Sequence, residues 1–121
     1  MNVDKKNVVT ALVNRIKKAN PVNIETAFLT DYMPPDKIKY EGIKDSYTPT
    51  VLAIFKDHSD VYEVELNDNF AAQKYRLLTS YAKMKNGDFH LVIPSKYLNS
   101  AKSFFNENNI HAKIIHFATK D

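Results

Sequence analysis

The sequence predicts an α/β domain of three layers, a mixed sheet between helices, with element order αβββαβαβ across residues 1–121. Three observations lead there. Apolar residues recur at helical spacing in three separate segments, and short runs rich in β-branched and aromatic residues lie between them. The second half then alternates strand, helix, strand, which requires a parallel pair joined by a right-handed crossover. A hairpin in the middle of the chain adds antiparallel pairing, so the sheet is mixed.

Each element follows from its residues. Over 3–19, Val8, Val9, Leu12, Val13 and Ile16 form one helical stripe, and Asn20-Pro21 ends it because the residue before proline leaves the α region. Residues 23–30 alternate as a strand, with Ile24, Thr26, Phe28 and Thr30 on one face. Residues 31–49 carry three of the five prolines and one of the two glycines, and read as a long loop. Two strands follow at 50–56 and 60–66, joined by the turn Lys56-Asp57-His58-Ser59. Asn67, Asp68 and Asn69 offer cap side chains for a helix over 70–85, which Asn86-Gly87 stops. Residues 88–93 are a mostly apolar strand of the kind buried in a sheet with helices on its faces. Pro94-Ser95 opens a helix to about Asn106, with Ser95 as its cap, and 110–117 are a final strand.

Composition narrows the function. There is no cysteine, so disulfides, thiolate chemistry and Cys-containing zinc sites are excluded. No apolar run approaches the ~20 residues that span a bilayer, and the first residues lack the pattern of a signal peptide. The expectation is a soluble, cytoplasmic protein with no membrane partner. A net charge of +3 permits nucleic-acid binding, and its distribution matters more than its size. Lys5, Lys6, Arg15, Lys17 and Lys18 cluster in the first helix, Lys37, Lys39 and Lys44 in the loop, and Lys74, Arg76, Lys83 and Lys85 in the second helix. Each cluster taken singly also fits a solvated face.

The segment 48–66 is the most informative. On its second strand Glu63 and Glu65 project from one face while Tyr62, Val64 and Leu66 point the other way. Two carboxylates that close repel each other and are costly to bury, so a cation or a basic partner is the usual reason for them. The plainer alternative is a solvated sheet face. Other constellations are weaker. His111 and His116 are five apart on the last strand, His90 fits a satisfied sheet position, and no histidine pair has helical zinc spacing. Two glycines exclude a glycine-rich phosphate loop. Tyr32, Tyr40 and Tyr47 interleave with lysines in the loop, a pattern open to base stacking, to a protein interface, or to packing on the sheet.

The element order, with acidic residues on the third strand, resembles the restriction-endonuclease-like superfamily of PD-(D/E)xK nucleases. At the positions matching its motif this chain reads Pro49-Thr50 and Glu63-Val64-Glu65. The resemblance implies that Glu63 and Glu65 are the catalytic and metal-binding carboxylates, for Mg²⁺ or Mn²⁺, with Lys74 or Arg76 orienting phosphate. Thr50 stands where the family has an aspartate and Glu65 where it has a lysine, and Asp36 and Asp45 lie in the preceding loop. The resemblance therefore implies a degenerate nuclease site, with weak or absent phosphodiesterase activity, in a protein that binds nucleic acid in DNA processing or defence. The alternative is a non-catalytic interaction module, a homodimer or a protein-partner domain, pairing through a sheet edge or the 31–49 loop.

Overall fold

A computed structural model describes residues 4–39 and 44–119. Helix α1 (Lys5–Lys17) begins where the Asp4 carboxylate accepts the Asn7 amide at 2.8 Å, satisfying one of the donors a helix start leaves over. Strands β1 (Asn23–Glu25), β2 (Val51–Ile54) and β3 (Ser59–Val64) follow. Then come α2 (Ala72–Met84), β4 (Phe89–Pro94), a 3₁₀ turn (Ser95–Tyr97), α3 (Leu98–Glu107) and β5 (Lys113–Phe117). All three helices are followed by an asparagine at positive φ: Asn20 at 57°, Asn86 at 62° and Asn109 at 56°. Asparagine is the side chain that tolerates this left-handed turn best after glycine.

The five strands form one open sheet in the order β1-β2-β3-β4-β5. The first two pairings are antiparallel and the last two parallel, so the sheet is mixed as the sequence predicts. On one face α1 buries Val9, Leu12, Val13 and Ile16 against Val51, Ala53, Tyr62, Val64 and Val92. On the other, α2 and α3 bury Tyr75, Leu78, Ala82, Ala101 and Phe105 against Leu52, Val61, Phe89, Leu91 and Ile93. The alternation along β3 thus sends Tyr62 and Val64 toward α1, and Val61 and Glu63 toward α2.

Gly87 is fixed by a close approach. A Cβ there would lie 1.8 Å from the Ser59 carbonyl oxygen, where the α2–β4 connection crosses the start of β3.

Several boundaries differ from the sequence expectation, each for a local reason. β1 stops at Glu25 because Thr26 turns inward. Its hydroxyl donates to the Thr50 carbonyl at 2.7 Å and its amide to the Met33 carbonyl at 2.9 Å. α2 has Ala71 at its N-cap with no side-chain hydrogen bond, since the Asn67 side chain is spent on the Asn69 amide at 2.9 Å. Ser95 caps nothing; its hydroxyl lies 2.8 Å from His116 Nδ1, and a 3₁₀ turn opens α3. β5 begins at Lys113, so His111 lies outside it. The long loop is tied across itself, because Ile38 and Tyr47 exchange both backbone hydrogen bonds, at 2.7 and 3.0 Å. Tyr40 lies outside the described residues.

Candidate carboxylate–lysine site

The first turn of a helix that follows a strand lies over the end of that strand. Here α2 brings Lys74 and Tyr75 down onto Glu63 and Glu65 at the end of β3. Glu63 is 2% exposed, a charge the chain could keep there only with partners. It has them on both oxygens. Oε1 accepts the Thr50 hydroxyl at 2.8 Å and the Thr50 amide at 3.0 Å. Oε2 is paired with the Lys74 ammonium. Glu65 completes the group: its Oε1 lies 3.5 Å from the same ammonium, and its Oε2 accepts the Tyr75 hydroxyl at 2.9 Å.

Each supporting group is itself held. The Thr50 hydroxyl accepts the Val64 amide at 3.2 Å while it donates to Glu63, which locks its rotamer. The Thr50 carbonyl is bound by buried Thr26, so β1, β2 and β3 all converge on this point. Burial would push the Lys74 pKa down, but the Glu63 and Glu65 carboxylates reverse this and hold it above its ordinary value. Burial, aided by the Glu65 charge, pushes the Tyr75 phenol well up, so it remains a donor at every working pH.

The two glutamates singled out in the sequence are therefore brought together, and neither lies on a solvated face. Lys74 joins them directly, whereas Arg76 on the same helix is exposed and donates to the Asn108 carbonyl at 3.0 Å, beyond the end of α3. Thr50 and Tyr75 are the members that sequence reasoning missed as contributors. A signal for Lys74 and Tyr75 existed, since the first turn of the helix in a strand–helix crossover must overhang the strand's last residues. Gln73, by contrast, is exposed.

The donor set tests the divalent metal that the nuclease resemblance implies. Mg²⁺ and Mn²⁺ want several free oxygen ligands, chiefly carboxylates. Both oxygens of Glu63 are already engaged, Thr50 supplies a hydroxyl turned toward Glu63, and an ammonium sits between the two carboxylates. Among the described residues no group of three or more histidine or acidic side chains is placed to hold a metal ion. As arranged, the site fits a lysine ammonium and not a divalent cation.

The remaining histidines are scattered. His90 stacks on Tyr62 with ring centroids 4.4 Å apart, and its Nδ1 is buried without a partner. His58 stacks on Phe55 and lies 2.7 Å from the Asp57 carboxylate, which raises its pKa, while burial lowers that of His90. Of the described loop tyrosines, Tyr47 packs on the α2 face and Tyr32 on the α1 face, with the Lys17 ammonium 5.6 Å from the Tyr32 ring centre. Among the described residues no helix is long and apolar enough to cross a membrane. No protein-family model, curated protein or solved structure matches this chain.

Proposed function

We propose that this chain is a restriction-endonuclease-like domain in which Lys74 occupies the place of the metal ion, and that it binds nucleic acid in DNA processing or defence without cutting it. The observation that carries the reading is the Glu63–Lys74–Glu65 cluster beside Thr50. Paired acids at the end of the third strand, facing the start of the second, are the layout of a nuclease centre. An internal ammonium there halves the negative charge that would otherwise repel phosphate. Exposed lysines lie beside the site for phosphate to contact, in a loop whose four acids, Asp31, Asp36, Glu41 and Asp45, outnumber its three lysines. Pro49-Thr50 is reached directly from the loop that carries Lys37, Lys39 and Lys44, all exposed while Ile38 between the first two is buried.

The test is fluorescence anisotropy with labelled DNA and RNA across a salt series. Binding should weaken steeply from about 50 to 200 mM salt, since phosphate contacts release counterions. Lys37→Gln/Lys39→Gln should lower both the affinity and the salt slope, and the bound strand should stay intact with Mn²⁺ present. Absence of binding to every oligonucleotide at low salt would sink the proposal.

One observation favours the second reading, an interaction module. Among the described residues β5 pairs only with β4, and a largely apolar groove of about 300 Å³ runs between it and α1, past Val8, Ala11, Ile115 and Phe117. A partner seated there would bind with little salt dependence.

A further inference from the structure

A second concavity lies away from the carboxylate cluster. It is a cleft of about 730 Å³ between α2, α3 and the start of β5. Its size lies within the roughly 300–1,000 Å³ of small-ligand sites. Thr79 and Lys83 line it from one face of α2, and Leu98, Lys102 and Phe105 from one face of α3, at helical spacing in both cases. The floor is apolar, made by Phe89, Ile110 and Ile114, and His111 stands exposed at the wall.

Charge selects the occupant. Asp88 is the one carboxylate lining the cleft, and it is already paired with Lys113 at 2.9 Å. Lys83 and Lys102 are exposed, and among the described residues neither has a carboxylate partner. The cleft therefore presents two ammonium groups without a carboxylate partner among the described residues, above an apolar floor of Leu98 and Ile114 where only the edges of the buried Phe89 and Phe105 rings show. That combination matches a ligand that is anionic at one end and flat and apolar at the other. A double helix is far too wide for it.

We infer that the α2–α3 cleft is a binding site for one unpaired nucleotide, its phosphate held by Lys83 and Lys102 and its base laid on the floor beside His111. Phosphate takes charge-assisted hydrogen bonds from the lysines, and every base offers a face that stacks on rings or rests on aliphatic side chains. The nucleotide is either free or part of a single strand. The site goes beyond the proposal above, which draws on the 31–49 loop and the Glu63 cluster.

Amide-resolved NMR of the intact chain tests it, with AMP, single-stranded oligo-dA and inorganic phosphate as probes. The expected result is saturable movement of the Thr79, Gly87 and Ala112 signals. Response to AMP assigns a free nucleotide, and response to the oligonucleotide alone assigns a nucleotide within a strand. Lys83→Gln/Lys102→Gln, both at exposed positions, should weaken binding at least about tenfold, the worth of one charge-assisted hydrogen bond. Three results overturn the site: no probe moves these signals, the double variant binds as before, or inorganic phosphate matches AMP in both shifts and affinity. Oligonucleotide binding that survives this variant and is lost in Lys37→Gln/Lys39→Gln would reject the cleft and keep the loop. AMP binding without loop-dependent oligonucleotide binding would do the reverse.

Discussion

Replacing Lys74 by methionine removes the charge that holds the two glutamates and keeps most of the side chain's volume. The cost follows from what remains. Glu63, with a side chain 3% exposed, keeps its two hydrogen bonds from Thr50 but loses the one cation paired with it among the described residues, and Glu65 then faces it with like charge. Breaking a buried pair from one side costs about 3–5 kcal/mol. The Lys74 side chain is 20% exposed and Thr50 still solvates one oxygen, which places this case at the lower end, about 3 kcal/mol. With a urea m-value of about 2 kcal/mol/M, the unfolding midpoint should fall by about 1.5 M. Adding Glu63→Gln removes the stranded charge and should restore about 2 kcal/mol as a coupling energy. Calorimetric titration supplies the second readout: Lys74→Met should bind Mn²⁺ where the parent protein does not. A midpoint shift under about 0.5 M, or Mn²⁺ binding that is unchanged by the substitution, would refute the reasoning, because the pair would then be an ordinary surface bridge. Since Lys74 is held above its ordinary pKa, its contribution is complete at neutral pH and is lost only as pH climbs past the usual lysine range.

Three other perturbations bear on the same architecture. Thr50→Val leaves the Val64 amide without its acceptor and takes from Glu63 one of its two Thr50 donors, the hydroxyl, and should cost about 2–3 kcal/mol by urea unfolding at nearly unchanged m-value. Gly87→Ala places a methyl against the Ser59 carbonyl, a backbone atom that cannot swing aside, so loss of more than about 4 kcal/mol is expected, seen as lost amide dispersion or failed expression of folded protein. His90 has its pKa lowered by burial, countered in part by Asp60 and Asp88 and assisted by Lys113. The unfolded chain therefore takes a proton there before the folded one does, and stability drains away as pH falls below about 6.5. In His90→Phe the stack on Tyr62 is kept and this drain is removed, so the loss of stability between about pH 7 and pH 5 should be shallower than in the parent. His58, raised by Asp57, acts in the opposite sense and remains in both proteins. Parallel pH curves for the two would reject the assignment.

Much of this fold was legible because its signals are local. The stripe Val9, Leu12, Val13 and Ile16 needs only helical period to be read, and the run from Phe89 to Ile93 only its apolarity on either side of His90. The alternation that put Glu63 and Glu65 on one face also held, since period two is a property of the strand itself. What the sequence did not disclose depends on distant partners. Thr26 leaves β1 to reach Thr50, twenty-four residues on, and no local pattern announces that. Thr50 reads as a missing metal ligand when judged by position in a motif, yet in space its hydroxyl and amide both donate to Glu63 Oε1. Lys74 reads, with Arg76, as a contact for phosphate, and only the crossover of α2 over β3 turns it inward onto the two glutamates and separates it from Lys83 and Lys85. Asn67, Asp68 and Asn69 all suit a cap, yet the Asn67 side chain accepts the Asn69 amide in a turn and Ala71 takes the N-cap position.

The sheet is laid down in the order in which the chain is made. Each strand hydrogen-bonds the one before it, β1 through β5, with no strand inserted later between two earlier ones. A ribosome delivering this sequence can therefore assemble it progressively, every new strand finding its template already in place. Non-local pairing slows folding because long loops must close first, and here the crossovers are spanned by helices that shorten the search. Interruption of synthesis after β4 would leave every existing pairing in register but remove both β5 and α3, exposing the β4 edge and the Phe89–Ile93 face that α3 covers. Growth by addition at one edge makes that edge the molecule's growing front, and β5 is where it comes to rest.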